Sequence, residues 1–289
     1  MTSQFFVTYR LKPTLAFEEF EDLAIKFENG YEFHCRGDLA WIGFQASTIG
    51  WEDKRSQGLS HMQTYLSALA LLKEYPFGVE PIQWIEVGQE PKAYVLGRLP
   101  SEEPMAQAKV PKVNQDDFHK ARTYVILAQI SPFFRRAMID YSVALGFPRE
   151  AVVFVARALE AVEAHFRLNQ RALSSSKTAQ RARDIMKNAL CLPGSELKEF
   201  YKIANDTTVA RHAKKLSQLR APTLDELRFC IVFCRGALDR FALYLWHENR
   251  DTLKQELPPL NNLNPKEEFE RSNEGLQKAL RSILPGELK

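Results

Sequence analysis

Residues 223–246, TLDELRFCIVFCRGALDRFALYLW, carry the strongest structural signal in this chain of 289 residues. Thr223 and Glu226 have the spacing of a capping box, in which each side chain satisfies an orphan backbone N–H at a helix N-terminus. Apolar side chains then recur on nearly every side of residues 227–246. A helix that is apolar almost all round is buried. The stretch therefore predicts the central helix of an all-α bundle.

Helical periodicity extends upstream from this stretch to Asp116. It predicts a long helix over 117–145 that is kinked near Ser131-Pro132, because proline interrupts helical hydrogen bonding. Three more helices are expected over 149–167, from the serines at 174–176 to Leu192, and from Ser195 onward. We assign residues 117–250 to the bundle. Residues 251–289 are rich in proline and asparagine at first and are expected to form an extended tail with one short helix, about 266–284.

The first 99 residues show a mixed pattern that predicts an α+β domain. Strand-like runs surround Arg36-Gly37-Asp38, which predicts a hairpin turn. The fold class is therefore an α+β N-terminal domain followed by an all-α helical bundle. Three prolines and weak periodicity mark residues 100–116 as the linker. Helices are expected over 17–27 and 59–75, and the other strands over 5–11, 82–87 and 93–96.

We expect the N-terminal domain to sense or dock a ligand or protein partner, which the sequence does not identify. Trp41, Trp51 and Trp84 either line a ligand groove or fill the core of this domain. His34 and Cys35 are adjacent on a predicted strand, so their side chains should point to opposite faces rather than form a catalytic pair.

Composition narrows the classes of function. The chain has four cysteines, no apolar run of about 18 residues and no signal-peptide pattern, so we expect a cytoplasmic protein without a membrane partner. Cys230 and Cys234 lie four residues apart on a predicted helix, but a structural zinc site needs four ligands. Phosphate-binding and dinucleotide-binding glycine motifs are absent from the sequence. We therefore expect no metal and no cofactor.

Polar residues converge in residues 203–212, IANDTTVARH. In a helix, Asn205, Thr208 and His212 share one face, with Arg211 beside them. A histidine can accept the proton of a 2′-hydroxyl, and a guanidinium can hold a phosphate, so the segment has the groups for cleaving RNA without metal. The structural alternative is that Arg211 and His212 bind carbonyl groups at a helix C-terminus, where cations are favoured.

Positive charge is concentrated around the same segment. Residues 167–220 contain twelve lysines and arginines against four acids, a net charge of +8, whereas the whole chain carries +3. Such a stripe is typical of an RNA-binding face, although a solvated helix surface has the same composition. The RNA-binding candidates are Lys198, Lys202, Lys214, Lys215 and Arg220.

The order of these features resembles the HEPN superfamily, and within it the abortive-infection type of prokaryotic defence and toxin domains. The resemblance covers about residues 117–247 and rests on the Asn…Arg-His segment before the capped helix. It implies a helical bundle with metal-independent endoribonuclease activity across a symmetric homodimer. Asn205 and His212 correspond to motif residues, and Arg211 is added on chemical grounds. The motif's leading arginine is replaced by Ala204.

The main hypothesis is an antiviral defence or toxin-type protein that binds RNA and cleaves it. Because Ala204 replaces the motif's leading arginine, two alternatives stay open. One is a non-catalytic HEPN-fold module for protein interaction or RNA binding. The other is an accessory protein of a mobile element. A homodimer through the C-terminal domain would place two Arg211-His212 segments face to face.

Overall fold

The N-terminal unit is built on a six-stranded sheet in which every neighbouring pair is antiparallel. The computed structural model describes residues 4–17, 23–26, 31–45, 51–87, 92–95, 110–148, 150–168, 176–206, 220 and 222–249. The strands are β1 (Gln4–Lys12), β2 (Leu23–Lys26), β3 (Tyr31–Arg36), β4 (Leu39–Gln45), β5 (Gly78–Val87) and β6 (Lys92–Val95). Their order across the sheet is β2-β3-β4-β1-β5-β6.

One face of this sheet is buried because its apolar residues alternate with polar ones. Val7, Tyr9 and Leu11 of β1 are buried, and the residues between them are half-buried. Helix α1 (Trp51–Lys73) packs on this face, where the ring of its Tyr65 stacks on Phe33 of β3 with centroids 4.2 Å apart. The predicted hairpin is confirmed, and its turn has Gly37 at φ +58°, a conformation that favours glycine.

The predicted helix over 17–27 is wrong where the structure describes it. Residues Thr14–Ala16 form a short 3-10 helix, and β2 occupies Leu23–Lys26. Leu23 and Ile25 are buried while Ala24 and Lys26 are exposed, which is the two-residue period of a strand. Pairing with β3 decided this conformation, because Leu23 lies opposite Cys35 and Lys26 opposite Glu32. Helical spacing of apolar residues alone was not sufficient.

The C-terminal region is helical, as the sequence predicts. Its helices are α2 (Gln115–Ile130), α3 (Pro132–Gly146), α4 (Ala151–Leu168), α5 (Ser176–Ala189), α6 (Gly194–Ala204) and α7 (Leu224–Glu248). The single kinked helix expected over 117–145 is instead two helices. Ser131 has an extended conformation and caps α3, since its hydroxyl accepts a hydrogen bond from the Phe134 N–H at 3.3 Å. Pro132 then fits the first helical position, where its missing N–H costs nothing.

The core of the bundle lies around α4 and α7. Helix α4 packs against α3, α5, α6 and α7, which explains its broad apolar surface. In α7, Phe233 and Leu238 are fully buried, so the prediction of a buried final helix is confirmed. Its capping box is also present: Thr223 N–H donates to Glu226 Oε2 at 2.8 Å, and Glu226 N–H donates to Thr223 Oγ1 at 3.2 Å.

The chain divides into two compact units, residues 1–122 and 123–289, so the division lies later than the predicted linker over 100–116. The end of that linker belongs to the first unit, since Val113 N–H donates to Ala16 O at 2.8 Å. The first turn of α2 joins the same core, where Phe118 contacts the rings of Phe17 and Phe33. The expected tail over 251–289 lies outside the described residues.

Among the helices of the described ranges, none combines the length and the apolar character that crossing a bilayer requires.

Candidate functional site

The predicted motif begins at the end of α6. Asn205 is the C-cap residue of this helix, is exposed, and donates its backbone N–H to Tyr201 O at 3.0 Å. A helical face that joins Asn205 to Thr208 and His212 is therefore not continued from α6, since the helix ends at Ala204. The other motif and basic residues of this segment, Arg211, His212, Lys214 and Lys215, lie outside the described residues.

Two further RNA-binding candidates project from α6 near Asn205. Lys198 and Lys202 are both exposed, and the Lys202 ammonium lies 3.1 Å from the Glu199 carboxylate. Lys198, Tyr201 and Asn205 follow each other at the spacing of one helix face. Lys198 and Asn205 are exposed, whereas Tyr201 between them is buried.

Arg220 joins the two ends of the segment that separates α6 from α7. Its guanidinium binds the Glu226 carboxylate through two N–H groups, each at 2.7 Å, and donates to Asp206 Oδ2 at 3.0 Å. The hydrogen bond with Glu226 raises the pKa of Arg220, and the same bond lowers the pKa of Glu226. Both groups therefore stay charged at neutral pH. We call this set, Asp206, Arg220, Glu226 and Thr223, the Arg220 clasp.

The clasp changes the interpretation of Arg220. The sequence nominates this residue to contact RNA, but the structure pairs its guanidinium with two carboxylates of its own chain. One of those carboxylates also closes the capping box of α7 through Thr223. Arg220 thus links Asp206, just after α6, to Glu226 in the first turn of α7.

A buried glutamate accepts hydrogen bonds from residues of three helices, α4, α5 and α6. Glu163 of α4 is only 3% exposed. Its Oε1 accepts from Arg167 Nη2 at 2.9 Å, and its Oε2 accepts from Arg183 Nε and Nη2, both at 3.3 Å, and from the Tyr201 hydroxyl at 3.1 Å. Arg183 lies on α5 and Tyr201 on α6. We call these four residues the Glu163 network.

Arg183 and Tyr201 also contact each other within the Glu163 network. The Arg183 guanidinium lies over the Tyr201 ring, 3.9 Å from its centroid. Burial and the charge of Glu163 raise the pKa of Tyr201, so the phenol keeps its proton and remains a donor. Burial opposes the charge on Arg183, but Tyr201 and Glu163 outweigh it and raise the pKa of this guanidinium. Arg167 and Arg183 both keep part of their side chains in solvent.

A similar arrangement occurs between α3 and α4. Asp140 is also 3% exposed, and its carboxylate binds Arg136 at 2.8 Å and Arg157 at 3.3 Å. Burial raises the pKa of Asp140, although the hydrogen bond from Arg136 opposes this shift. We call these three residues the Asp140 network.

Comparison with models of known protein families gave no match. The same holds for curated proteins and for solved structures.

The two cysteines of α7 lie in the buried core of the bundle. Cys230 and Cys234 are both fully buried, and the Cys234 thiol donates to Val155 O at 3.7 Å. Burial raises the pKa of both thiols, so neither is a nucleophile at neutral pH. In the described part of the chain, no group of three or more His, Cys, Asp or Glu side chains is arranged to hold a metal ion.

Trp41 lies on the sheet face opposite to α1, not in the core with Val7 and Tyr9. Its ring stacks on His34 with centroids 5.3 Å apart, and His34 Nε2 lies 3.3 Å from Glu32. Cys35 points to the buried face, as predicted for adjacent strand residues. The side chains of Trp51 and Trp84 lie outside the described residues.

The sequence alone assigns Arg167 and Arg183 to a basic stripe. It does not predict that both bind the buried Glu163 carboxylate. A signal was present, since Glu163 interrupts the apolar stripe of α4 and precedes Arg167 by four residues. A charged residue on an otherwise apolar face is rarely buried without a partner. The partners on α5 and α6 were not detectable, because they lie 20 and 38 residues away in the sequence.

Proposed function

We propose that the C-terminal helical unit binds RNA and that His212 and Arg211 cleave it without a metal ion, in a cytoplasmic, HEPN-like defence or toxin-type protein. The observation that carries the proposal is the position of Asn205, exposed at the end of α6, with the ends of the following segment held by the Arg220 clasp. The motif thus begins where α6 ends. The net charge of +8 over residues 167–220 supplies attraction for a phosphate backbone.

The proposed reaction uses the ribose itself as nucleophile. His212 accepts the proton of a 2′-hydroxyl, and the 2′-oxygen attacks the adjacent phosphorus. Arg211 stabilises the negative charge that develops on the phosphorane oxygens. The bond from phosphorus to the 5′-oxygen breaks, and this oxygen leaves as a hydroxyl with the proton that His212 accepted, transferred through solvent. The products are a 2′,3′-cyclic phosphate and a 5′-hydroxyl. In this proposal Asn205 orients the substrate.

The test is incubation of the purified chain with total RNA in the presence of EDTA. We expect fragments with 2′,3′-cyclic phosphate ends, and we expect His212→Ala and Arg211→Ala to abolish them. Lys177→Gln removes one charge of the stripe and should mainly weaken binding. Absence of fragments, or fragments that persist with His212→Ala, would contradict the catalytic proposal.

A second candidate is favoured by the environment of Ala204. This residue takes the place of the motif's leading arginine and is 1% exposed, facing the core of the bundle. A guanidinium at this position could not reach a phosphate without leaving α6. The alternative is a non-catalytic HEPN-fold module that binds RNA or a protein. Tight RNA binding without cyclic phosphate products distinguishes it.

We also propose a homodimer through the C-terminal unit, because the resemblance implies an active site shared by two protomers. Light scattering at micromolar concentration should give twice the chain mass of 33.2 kDa. A monomer, or a dimer retained only through residues 1–99, would contradict it. In the proposed homodimer, the N-terminal unit senses or docks a ligand or protein partner separately from the dimer contact.

A further inference from the structure

We propose that Arg167 and Arg183 form a phosphate-binding pair for the RNA backbone, and that Glu163 and Tyr201 hold the two guanidinium groups in position for it. The inference rests on the proposed RNA binding and names the residues of the described bundle that contact a phosphate. It is independent of cleavage.

The first argument is charge and distance. Both guanidinium groups contact the same carboxylate, Arg167 through Oε1 at 2.9 Å and Arg183 through Oε2 at 3.3 Å, so two cations lie beside one buried anion. Glu163 neutralises one of the two cations, which leaves the set with a net charge of +1. In this proposal the phosphate lies against the exposed sides of both guanidinium groups, while Glu163 keeps its place on their buried side.

The second argument is the donors that remain. An arginine has five N–H groups. Arg167 uses Nη2 toward Glu163, and Arg183 uses Nε and Nη2. Each guanidinium therefore has N–H groups beyond those that bind the Glu163 carboxylate. The side chains are 50% and 31% exposed, so these donors are accessible to a ligand.

The third argument is preorganisation. A free arginine loses rotamer entropy when it binds a phosphate, and a guanidinium that is already fixed loses less. Arg183 is fixed twice, by the carboxylate and by the Tyr201 ring 3.9 Å from its guanidinium carbon. Arg183 therefore loses most of its rotamer entropy when the protein folds, and loses little more when it binds a phosphate.

The Asp140 network contains the same kinds of groups, and its setting argues against the same role. Arg157 lies 5.4 Å from the centroid of the Phe154 ring, farther than Arg183 from Tyr201. Residues 132–157 contain four basic and two acidic residues, a net charge of +2, against +8 over residues 167–220. Asn205 and Lys198 flank Tyr201 and have no counterpart in the Asp140 network. We therefore use Arg136 and Arg157 as matched controls.

The experiment measures the affinity of the full chain for a labelled single-stranded RNA by fluorescence anisotropy, at several salt concentrations between 50 and 200 mM. Arg167→Gln and Arg183→Gln remove charge but keep an N–H donor for Glu163, so the fold is retained. We expect each to raise Kd about tenfold and to lower the slope of log Kd against log salt by about one. Arg136→Gln and Arg157→Gln should change Kd less than twofold.

Two readouts separate binding from a structural role. Arg183→Lys keeps the charge and loses the planar fork, so its Kd should lie between those of the wild type and Arg183→Gln. Thermal unfolding of every variant shows whether a loss of affinity follows a loss of stability. RNA binding that is unchanged in Arg167→Gln and Arg183→Gln, or weakened equally in the control variants, overturns this inference alone. No RNA binding by the wild type overturns the proposed function and this inference together.

Discussion

The Glu163 and Asp140 networks share a buried carboxylate and two arginines but differ in the other groups that contact them. Each has a carboxylate that is 3% exposed and two arginines that reach it from the surface. The Asp140 network joins two helices and contains only ionic partners. The Glu163 network joins three helices and adds a hydroxyl and a ring from Tyr201. A buried charge is costly, so the number and kind of its partners decide how stable each network is.

Removing both arginines from each network should have the largest effect. Arg136→Met with Arg157→Met leaves the Asp140 carboxylate buried without a cation, which costs about 3 kcal/mol of unfolding free energy. Arg167→Met with Arg183→Met should cost about 1 kcal/mol less, because the Tyr201 hydroxyl still donates to Glu163. Urea denaturation of the two double variants measures the difference. An equal loss in both would show that the tyrosine contributes nothing.

The Tyr201 hydroxyl can be tested by itself. Tyr201→Phe keeps the ring beneath Arg183 and removes one donor to a buried carboxylate, so we expect a loss of about 2 kcal/mol. The matched control is Tyr124→Phe, since Tyr124 donates to Asp239 at 3.3 Å and this carboxylate is partly exposed. The control should lose less than about 1 kcal/mol. A larger loss in the control would reverse the ranking of the two tyrosines.

His165 lies two residues after Glu163 on α4 but in an apolar environment. Its ring contacts those of Phe133, Phe166, Phe241 and Tyr244, and its Nε2 lies 3.7 Å from Glu248. Burial lowers the pKa of His165, and the charge of Glu248 only partly opposes this.

The unfolded chain therefore binds a proton at His165 more readily than the folded one. This contribution to stability is complete above the unfolded-state pKa of about 6.5 and is lost as the pH falls below it, by at most about 1.4 kcal/mol per pH unit. His165→Leu should flatten the decline of the unfolding free energy between pH 7 and 5. A variant with the same pH dependence as the wild type would exclude His165 as the cause.

The Arg220 clasp should have the smallest effect on stability, because it is more exposed than either network. Arg220→Met is expected to cost less than about 1 kcal/mol, the usual range for a surface ion pair. Thr223→Ala removes the cap of α7 and should cost about 1 kcal/mol. Chemical denaturation compares them. If Arg220→Met destabilises the chain as much as either double arginine variant, solvent exposure does not explain the smaller effect expected for the clasp.

Local sequence patterns predicted most of the helices and strands. Of the three predicted catalytic residues, only Asn205 lies among the described residues. The capping box at Thr223 and Glu226 and the turn at Gly37 depend on residues within a few positions, and both were predicted correctly. Strand β2 was missed because its partner β3, not its own spacing, selects the extended conformation. The long helix over 117–145 was predicted as one because periodicity continues across Ser131, where the cap ends it.

The sequence by itself determined an α+β region followed by a helical bundle, the buried helix α7, and the place of the basic segment before it. These depend on composition, periodicity and capping, which act over a few residues. Only the tertiary structure decided that Glu163 gathers Arg167, Arg183 and Tyr201, and that Arg220 binds Asp206 and Glu226. A buried carboxylate must find its partners in space, and the packing of α4, α5 and α6 brings together residues that are far apart in the chain.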